Sequence, residues 1–253
     1  MNERNFLELL HNKYSIYLEK SEDKSSCYLI RMLELEIYTQ DDPFTHGNER
    51  QMISKGFYVH RSGKSSTSSY KGGTYGGMDL ILDGVAYLIR AAQIFDIKNG
   101  SYEIVEGPNL VLTTLAKYAT PNVITDSLGN VSLGTGLFNP FKYLEDTLGF
   151  FEYEWVNTPE IKPIRFGARA GLTLKRSTDL IKWSNYLIMI RHSSIIDNKK
   201  YKEVWCYSIE NGRIKMNFDS LTKKFQTFWH EGTNCDTITK DMTLHHVLGY
   251  HCK

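Results

Sequence analysis

Residues 31–46 read RMLELEIYTQDDPFTH, and this stretch decides both the expected fold and the expected site. In its first half, apolar residues alternate with Glu34, Glu36 and Tyr38. A β-strand points successive side chains to opposite faces, so these three polar residues share one face. His46 follows after an acidic turn. A carboxylate, an aromatic ring and an imidazole at one strand end can hold a flat ring and act on a bond beside it. The same alternation also fits a surface strand with solvated carboxylates.

Composition sets broad limits. The chain has 253 residues, a length that fits one large domain or two small ones. Hydrophobic residues make up 41% of it and charged residues 23%, which is typical of a globular protein. No apolar run approaches the roughly 20 residues that span a bilayer, and the first residues lack the apolar core of a signal peptide. We therefore expect a cytoplasmic protein without membrane contact. The cysteines are widely spaced, which disfavours a zinc site or a disulfide framework, so we expect no metal and no cofactor.

The formal net charge is only +1, but local clusters of Lys and Arg matter more for binding a polyanion. Two stretches contain such clusters, and both also fit ordinary solvated surface. They contain Arg61, Lys64 and Lys71, and then Arg165, Arg169, Lys175, Arg176 and Lys182.

The coarse secondary structure mixes helices and strands. Residues 6–20 have near-helical spacing, 27–38 form the first strand, and the Ser/Gly-rich residues 61–77 predict a flexible surface loop. Residues 78–82 and 85–95 predict a hairpin around Asp83-Gly84. Helices are expected from Pro108 and from Asn139-Pro140. Strands are expected over 161–174 and 185–192, and a hairpin over 203–218 around Asn211-Gly212.

Several short motifs resemble, in the same order, those of the alkyladenine (3-methyladenine) DNA glycosylase family. Each is short, and together they extend from Glu34 to Arg191. They are ELEIY followed by DDPFTH, Phe57-Tyr58-Val59-His60, Met78-Asp79-Leu80, Leu88-Ile89-Arg90-Ala91, Gly107-Pro108 with Val111 and Leu115, Gly167-Ala168-Arg169-Ala170-Gly171-Leu172, and Trp183 with Arg191. The resemblance implies an α+β single domain with a curved, mainly antiparallel sheet flanked by helices. The glycosylase-like domain would comprise residues 1–197, and residues 198–253 would be a β-rich extension packed on the same domain.

The resemblance also implies roles for individual residues. Glu36 falls at the general base that activates water, and Arg90 at the arginine that helps to hold this water. Tyr38 falls at one aromatic wall of a base pocket, and His46 near the pocket histidine. Glu34 matches a glutamate with a structural role. The implied reaction is the hydrolysis of the bond between base and sugar after the nucleotide has been flipped out of DNA. Such an enzyme is monofunctional, since no lysine is obviously placed as a nucleophile.

Three departures from the family bear on the substrate. His60 replaces the second aromatic wall, and Asp79 replaces an asparagine that screens purines. The Ser/Gly-rich loop replaces the hairpin with the intercalating tyrosine, which leaves Tyr70 and Tyr75 as candidates for the wedge. Because cationic alkylated bases favour aromatic sandwiches, we expect a bulky or polar modified base. Hypermodified phage DNA is one such substrate, and the enzyme would then serve antiviral defence.

The remaining predictions concern partners and alternatives. DNA would be bound by the following residues, distributed over both basic stretches and the loop: Arg61, Lys64, Tyr70, Lys71, Tyr75, Arg169, Lys175 and Arg176. The protein is expected to be a monomer. The alternatives are repair of alkylated purines, a module that binds modified bases without cutting, and a structural or partner-binding protein whose C-terminal extension is the interaction surface.

Overall fold

The computed structural model describes residues 3–20, 26–119, 123–125, 131–133, 139–155, 165–169, 172–187, 190–193, 207–210, 213–216 and 222–252. Contacts divide the chain into two compact units, one comprising residues 1–40 and 46–161 and the other 41–45 and 162–253. Both units combine helices with antiparallel strands, which confirms the α+β class. The predicted boundary after residue 197 falls inside the second unit and stays a prediction.

The first unit is built on one large antiparallel sheet, with a separate two-stranded pair beside it in the sequence. The strands of this unit are β1 (Tyr14–Glu19), β2 (Cys27–Tyr38), β3 (Lys55–Val59), β4 (Met78–Leu82), β5 (Val85–Asp96), β6 (Ser101–Glu106), β7 (Val123–Thr125), β8 (Val131–Leu133) and β9 (Gly149–Glu152). Its helices are α1 (Glu3–Lys13), α2 (Pro108–Ala119) and α3 (Pro140–Thr147), with 3₁₀ turns at Glu49–Met52 and Gly73–Tyr75. The strand order is β9-β1-β2-β5-β4-β3, β6 pairs with the second half of β5, and β7 pairs with β8 alone. The curved, mainly antiparallel sheet is thus confirmed.

Local sequence signals define several element boundaries. The β4–β5 hairpin turns at Asp83 and Gly84, whose φ angles of 50° and 75° require the left-handed region that these residues tolerate. Helix α3 begins where Asn139 accepts hydrogen bonds from the next free backbone N–H groups. These elements, together with β2 and the start of α2 at Pro108, confirm the sequence predictions.

One face of the sheet forms the apolar core. Leu35 pairs with Ile89, and Tyr87 on the same strand pairs with Leu80, so all of these side chains lie on one face. The Phe6 ring of α1 lies 6.0 Å from the Tyr87 ring, which shows that α1 covers this face. Helix α2 contacts β1, β4 and β5. The polar residues of β2 therefore project from the opposite face.

Three predicted elements are wrong in part. The helix over 6–20 ends at Lys13, because Tyr14–Glu19 forms β1 between β2 and β9. Of the strand predicted over 161–174, residues 165–168 form β10 (Arg165–Ala168), residues 169 and 172–174 are not strand, and residues 161–164 and 170–171 lie outside the described part. The strand predicted over 185–192 is helical at residues 185–187, the end of α4 (Leu180–Leu187), whose first turn is capped by the Asp179 carboxylate accepting from the Lys182 N–H. Its residues 190–192 are strand as predicted, within β11 (Ile190–Ser193), and residues 188–189 lie outside the described part.

The described residues of the second unit form two small antiparallel pairs and three helices. Strand β10 pairs with β11 (Ile190–Ser193), and β12 (Tyr207–Glu210) pairs with β13 (Arg213–Met216) as the predicted hairpin, whose turn lies outside the described residues. Helices α5 (Lys223–Asn234) and α6 (Leu244–Tyr250) cross at Gly232, where an added Cβ would lie 2.1 Å from the His246 carbonyl oxygen. No helix within the described ranges has both the length and the apolarity needed to cross a membrane.

A buried histidine makes the stability of the first unit depend on pH. The His11 ring lies 2.6 Å from the Met32 carbonyl oxygen, and burial lowers the pKa of His11 from 6.5 to about 4. The unfolded chain therefore takes up a proton more readily than the folded one between these values. We expect the free energy of unfolding to fall as the pH drops from 6.5 to 4, by on the order of 2–3 kcal/mol from His11.

Urea denaturation between pH 7.5 and pH 4 measures this dependence. The His11→Asn variant keeps a donor for Met32 but does not titrate, so its stability should fall less steeply with decreasing pH. An unchanged slope in this variant would contradict the assignment.

Candidate functional site

The polar face of the sheet brings together residues from four strands. Glu36 pairs with Leu88, Leu88 pairs with Asp79, and Asp79 pairs with Tyr58. Paired residues of an antiparallel ladder project from the same face. Adjacent strands lie about 4.8 Å apart, so the backbones at Glu36 and Asp79 are separated by roughly 10 Å. A single row therefore joins the predicted catalytic and substrate-binding residues.

The two glutamates of β2 are buried, and each is 1% exposed. Arg90 contacts both carboxylates, since its Nε donates to Glu34 at 2.9 Å and its Nη1 lies 3.3 Å from Glu36 Oε2. The Tyr38 hydroxyl donates to the same Glu36 oxygen at 3.0 Å. A solvated surface strand is thereby excluded. The predicted catalytic pair Glu36 and Arg90 is in direct contact, and Tyr38 is attached to it through its hydroxyl.

This arrangement assigns Glu34 a structural task. Glu34 is the second carboxylate on the same guanidinium, 2.9 Å from Arg90 Nε, so Arg90 is shared between Glu34 and Glu36. The Glu36 carboxylate is thus held in one orientation by Arg90 and Tyr38.

A second polar group lies at the other end of the row. His60 Nε2 donates to Asp79 Oδ1 at 2.9 Å, and Gln51 Nε2 donates to the other oxygen at 2.8 Å. The ring of His46 lies 4.4 Å from that of His60, nearly perpendicular to it. The structure thus brings together three of the four predicted substrate-binding residues, His46, His60 and Asp79, while the fourth, Tyr38, contacts Glu36.

Two further partners of His46 were missed by sequence reasoning. Its Nδ1 lies 3.4 Å from the Tyr58 hydroxyl, and its Nε2 lies 3.1 Å from the Lys71 amine. Because Lys71 carries only donors when protonated, Nε2 is the acceptor and the proton resides on Nδ1. Burial, followed by electrostatic interaction with His60 and Lys71, lowers the pKa of His46 to about 4. His46 is a neutral imidazole at physiological pH.

Gly77 allows His60 to lie close to the sheet. A Cβ at this position would lie 2.9 Å from His60 Cε1 and 3.0 Å from the Leu88 side chain. The His60 ring and the Leu88 side chain therefore both lie next to the Gly77 backbone. Leu88 is the residue between Glu36 and Asp79 in the row. No sequence motif marked this glycine among its neighbours in the Gly-rich loop.

The predicted DNA-binding residues divide into exposed and internal ones. Lys64, Lys175 and Arg176 are exposed, and Tyr75, at 75% exposure, is better placed as a wedge than the half-buried Tyr70. Lys71 belongs to the histidine group described above. The expectation that Arg61 and Arg169 face DNA does not fit their burial, at 7% and 0% exposure.

Both internal arginines have buried carboxylate partners. Arg169 pairs with Asp42 at 2.6 Å and lies over the Phe44 ring, which attaches residues 41–45 to the rest of the second unit. Arg61 pairs with Glu145 of α3 and stacks on the Tyr70 ring at 4.1 Å. Sequence reasoning did not single out Glu145, because its partners are more than 70 residues away.

A polar cleft of about 440 Å³ opens beside this pair in the first unit. It is lined by hydroxyl-bearing and charged residues of the loop and of α3: Arg50, Arg61, Ser66, Thr67, Ser68, Ser69, Tyr70, Asn139, Lys142, Glu145 and Asp146. Over the described ranges, no group of three or more His, Cys, Asp or Glu side chains is arranged to hold a metal ion.

Comparison with known proteins identifies a relative. An uncharacterized protein of Acanthamoeba polyphaga mimivirus is 34% identical over 204 residues, covering 69% of this chain and 85% of the viral protein. The chain belongs to the same family as this mimivirus protein. No family model matches the chain, and no solved structure matches it. The activity of the family therefore has to be argued from the site itself.

Proposed function

We propose that the protein is a DNA glycosylase that flips a modified nucleobase out of DNA and hydrolyses its N-glycosidic bond. The observation that carries the proposal is Glu36, a buried carboxylate oriented by Arg90 and Tyr38 on the same sheet face as His60 and Asp79. Glu36 would take a proton from water as the bond breaks and would stabilise positive charge on the sugar. The ordered motif resemblance from Glu34 to Arg191 supports the same reaction.

The polar end of the row supports a bulky or polar modified base as the substrate. His46, His60 and the Lys71 amine offer hydrogen-bonding groups where an aromatic sandwich would suit a bare alkylated purine. A base with hydroxyl or sugar substituents can exchange hydrogen bonds with such groups. Hypermodified phage DNA provides bases of this kind, and in that setting the enzyme acts in antiviral defence. We propose DNA as the partner of a monomeric, cytoplasmic protein.

A panel of modified bases tests the substrate. Labelled oligonucleotides, single- and double-stranded, would each contain one base: unmodified, hydroxymethylated, glucosylated, 3-methylated or deaminated. We expect abasic sites, detected by alkaline strand cleavage, only with the hydroxymethylated or glucosylated bases. If only methylated or deaminated purines react, the substrate class is wrong and the enzyme serves repair. Tight binding of a modified base without its release would instead identify a binding module.

Contacts to phosphate separate these possibilities from a purely structural protein. Exposed Lys64, Lys175 and Arg176 release counterions when they bind DNA, so the affinity should fall steeply with increasing salt. A protein that functions only through other proteins would show no such salt-dependent binding.

A further inference from the structure

Lys71 stands out among the described residues because its amine lies inside the polar group of the proposed site. Its Nζ is 3.1 Å from His46 Nε2, and its backbone N–H donates to the His60 carbonyl oxygen at 2.8 Å. The main-chain bond fixes Lys71 beside His60, and the side chain then reaches back to His46. Both histidines belong to the group that would contact the flipped nucleotide.

Within the described part of the chain, no carboxylate oxygen lies within 4.0 Å of the Lys71 amine. Asp79, the acid of the same group, accepts from His60 and Gln51 through its two oxygens. A lysine without a carboxylate partner is stabilised less in its charged form than a lysine in an ion pair. It is therefore the type of amine that serves as a nucleophile toward a carbonyl carbon.

We propose that Lys71 forms an imine with the sugar aldehyde of an abasic site, giving the protein an abasic-site lyase activity. This inference rests on the proposed function for the location of the site. It extends the hydrolytic reaction expected from the sequence, in which no lysine was obviously placed.

The chemistry balances without an oxidant or a reductant. The neutral amine bonds to C1′ of the ring-opened sugar, and the aldehyde oxygen leaves as water. Water then takes a proton from C2′, a double bond forms between C2′ and C3′, and the C3′–O bond breaks, with its electron pair leaving on the 5′-phosphate of the released strand. Water hydrolyses the imine and returns the free amine. The proton that Lys71 loses before the first step passes to solvent water, and His46 Nε2, 3.1 Å away, holds the amine in position through a hydrogen bond.

The electrostatics agree with this assignment. Burial lowers the pKa of Lys71 from its ordinary value, which increases the fraction of unprotonated amine near neutral pH. His46, with its pKa lowered to about 4, is unprotonated over the same range and remains an acceptor. A lysine that only supported the His46 ring would make the same hydrogen bond but would form no covalent intermediate.

Borohydride trapping on DNA with a preformed abasic site tests the proposal. The aldehyde would be generated beforehand by excision of uracil, so that the result does not depend on base release by this protein. We expect a covalent protein–DNA adduct on a denaturing gel with the wild type. The Lys71→Arg variant should show at least a tenfold loss of adduct, whereas Lys55→Arg, which changes an exposed lysine at the start of β3, should not.

Mass spectrometry of the trapped wild-type protein provides a second test that needs no variant to fold. The reduced sugar should be found on the peptide that contains Lys71. Absence of an adduct with the wild type, attachment at another amine, or equal trapping by Lys71→Arg would each overturn the proposal. These outcomes would leave the glycosylase proposal intact, since it is tested by base release.

Discussion

Replacing Glu36 with glutamine is expected to lower base release by about 10²–10⁴-fold, the usual contribution of a general base. Glutamine preserves the shape of the side chain but cannot accept a proton from water. Affinity for modified DNA should remain near that of the wild type, because Tyr38 and Arg90 still have an oxygen to donate to. Single-turnover base release and fluorescence anisotropy with the same oligonucleotide measure the two quantities separately.

The matched control is Glu152→Gln, which changes an exposed glutamate of β9 in the same unit and should alter neither quantity. Full turnover in the Glu36→Gln variant would remove Glu36 from the mechanism. If the wild type and this variant both bind modified DNA and neither releases a base, the protein is a reader of modified bases.

Replacing Glu145 with alanine is expected to destabilise the protein by about 3–5 kcal/mol, as removal of one partner of a buried ion pair does. Glu145 accepts hydrogen bonds from the Val59 N–H at 2.9 Å and from the Tyr70 hydroxyl at 3.0 Å, and it neutralises Arg61. Without it, the Arg61 guanidinium stays buried with an uncompensated charge. Urea denaturation at pH 7.5 measures the change in free energy of unfolding.

The neighbouring residue provides the comparison. Asp146 forms a surface ion pair with Arg50 at 3.3 Å, and its replacement by alanine should cost less than about 1 kcal/mol. A double variant, Arg61→Met with Glu145→Leu, should be less destabilised than Glu145→Ala, because no buried charge is left alone. Equal losses for Glu145→Ala and Asp146→Ala would show that burial of the pair contributes nothing.

Elements with strong local signals were predictable from sequence. The Asp83-Gly84 turn, the Asn139 cap and the alternation within β2 depend on residues close in the chain, and the structure has them where expected. Strand β1 was not predictable, because it is a strand only through its pairing with β2 and β9. Helix α4 was misread because the apolar run that begins at Tyr186 outweighed the Asp179 cap.

The same distinction holds for the site. That Glu34, Glu36 and Tyr38 share a face follows from the two-residue period of a strand. The contact of Glu34 and Glu36 with Arg90 depends on the β2–β5 register, which includes a bulge at Glu34 that no local pattern marks. Lys71 was read as part of a basic surface stretch, since nothing in the sequence places it next to a residue 25 positions earlier.

Gly77 gives this family a simple route to new specificity. A hydrogen is the largest substituent that fits between its backbone, the His60 ring and Leu88. A single added methyl group would lie 2.9 Å from the imidazole, so the ring would have to move. Under the proposed function, a substitution at Gly77 would therefore change the shape of the base pocket without touching Glu36.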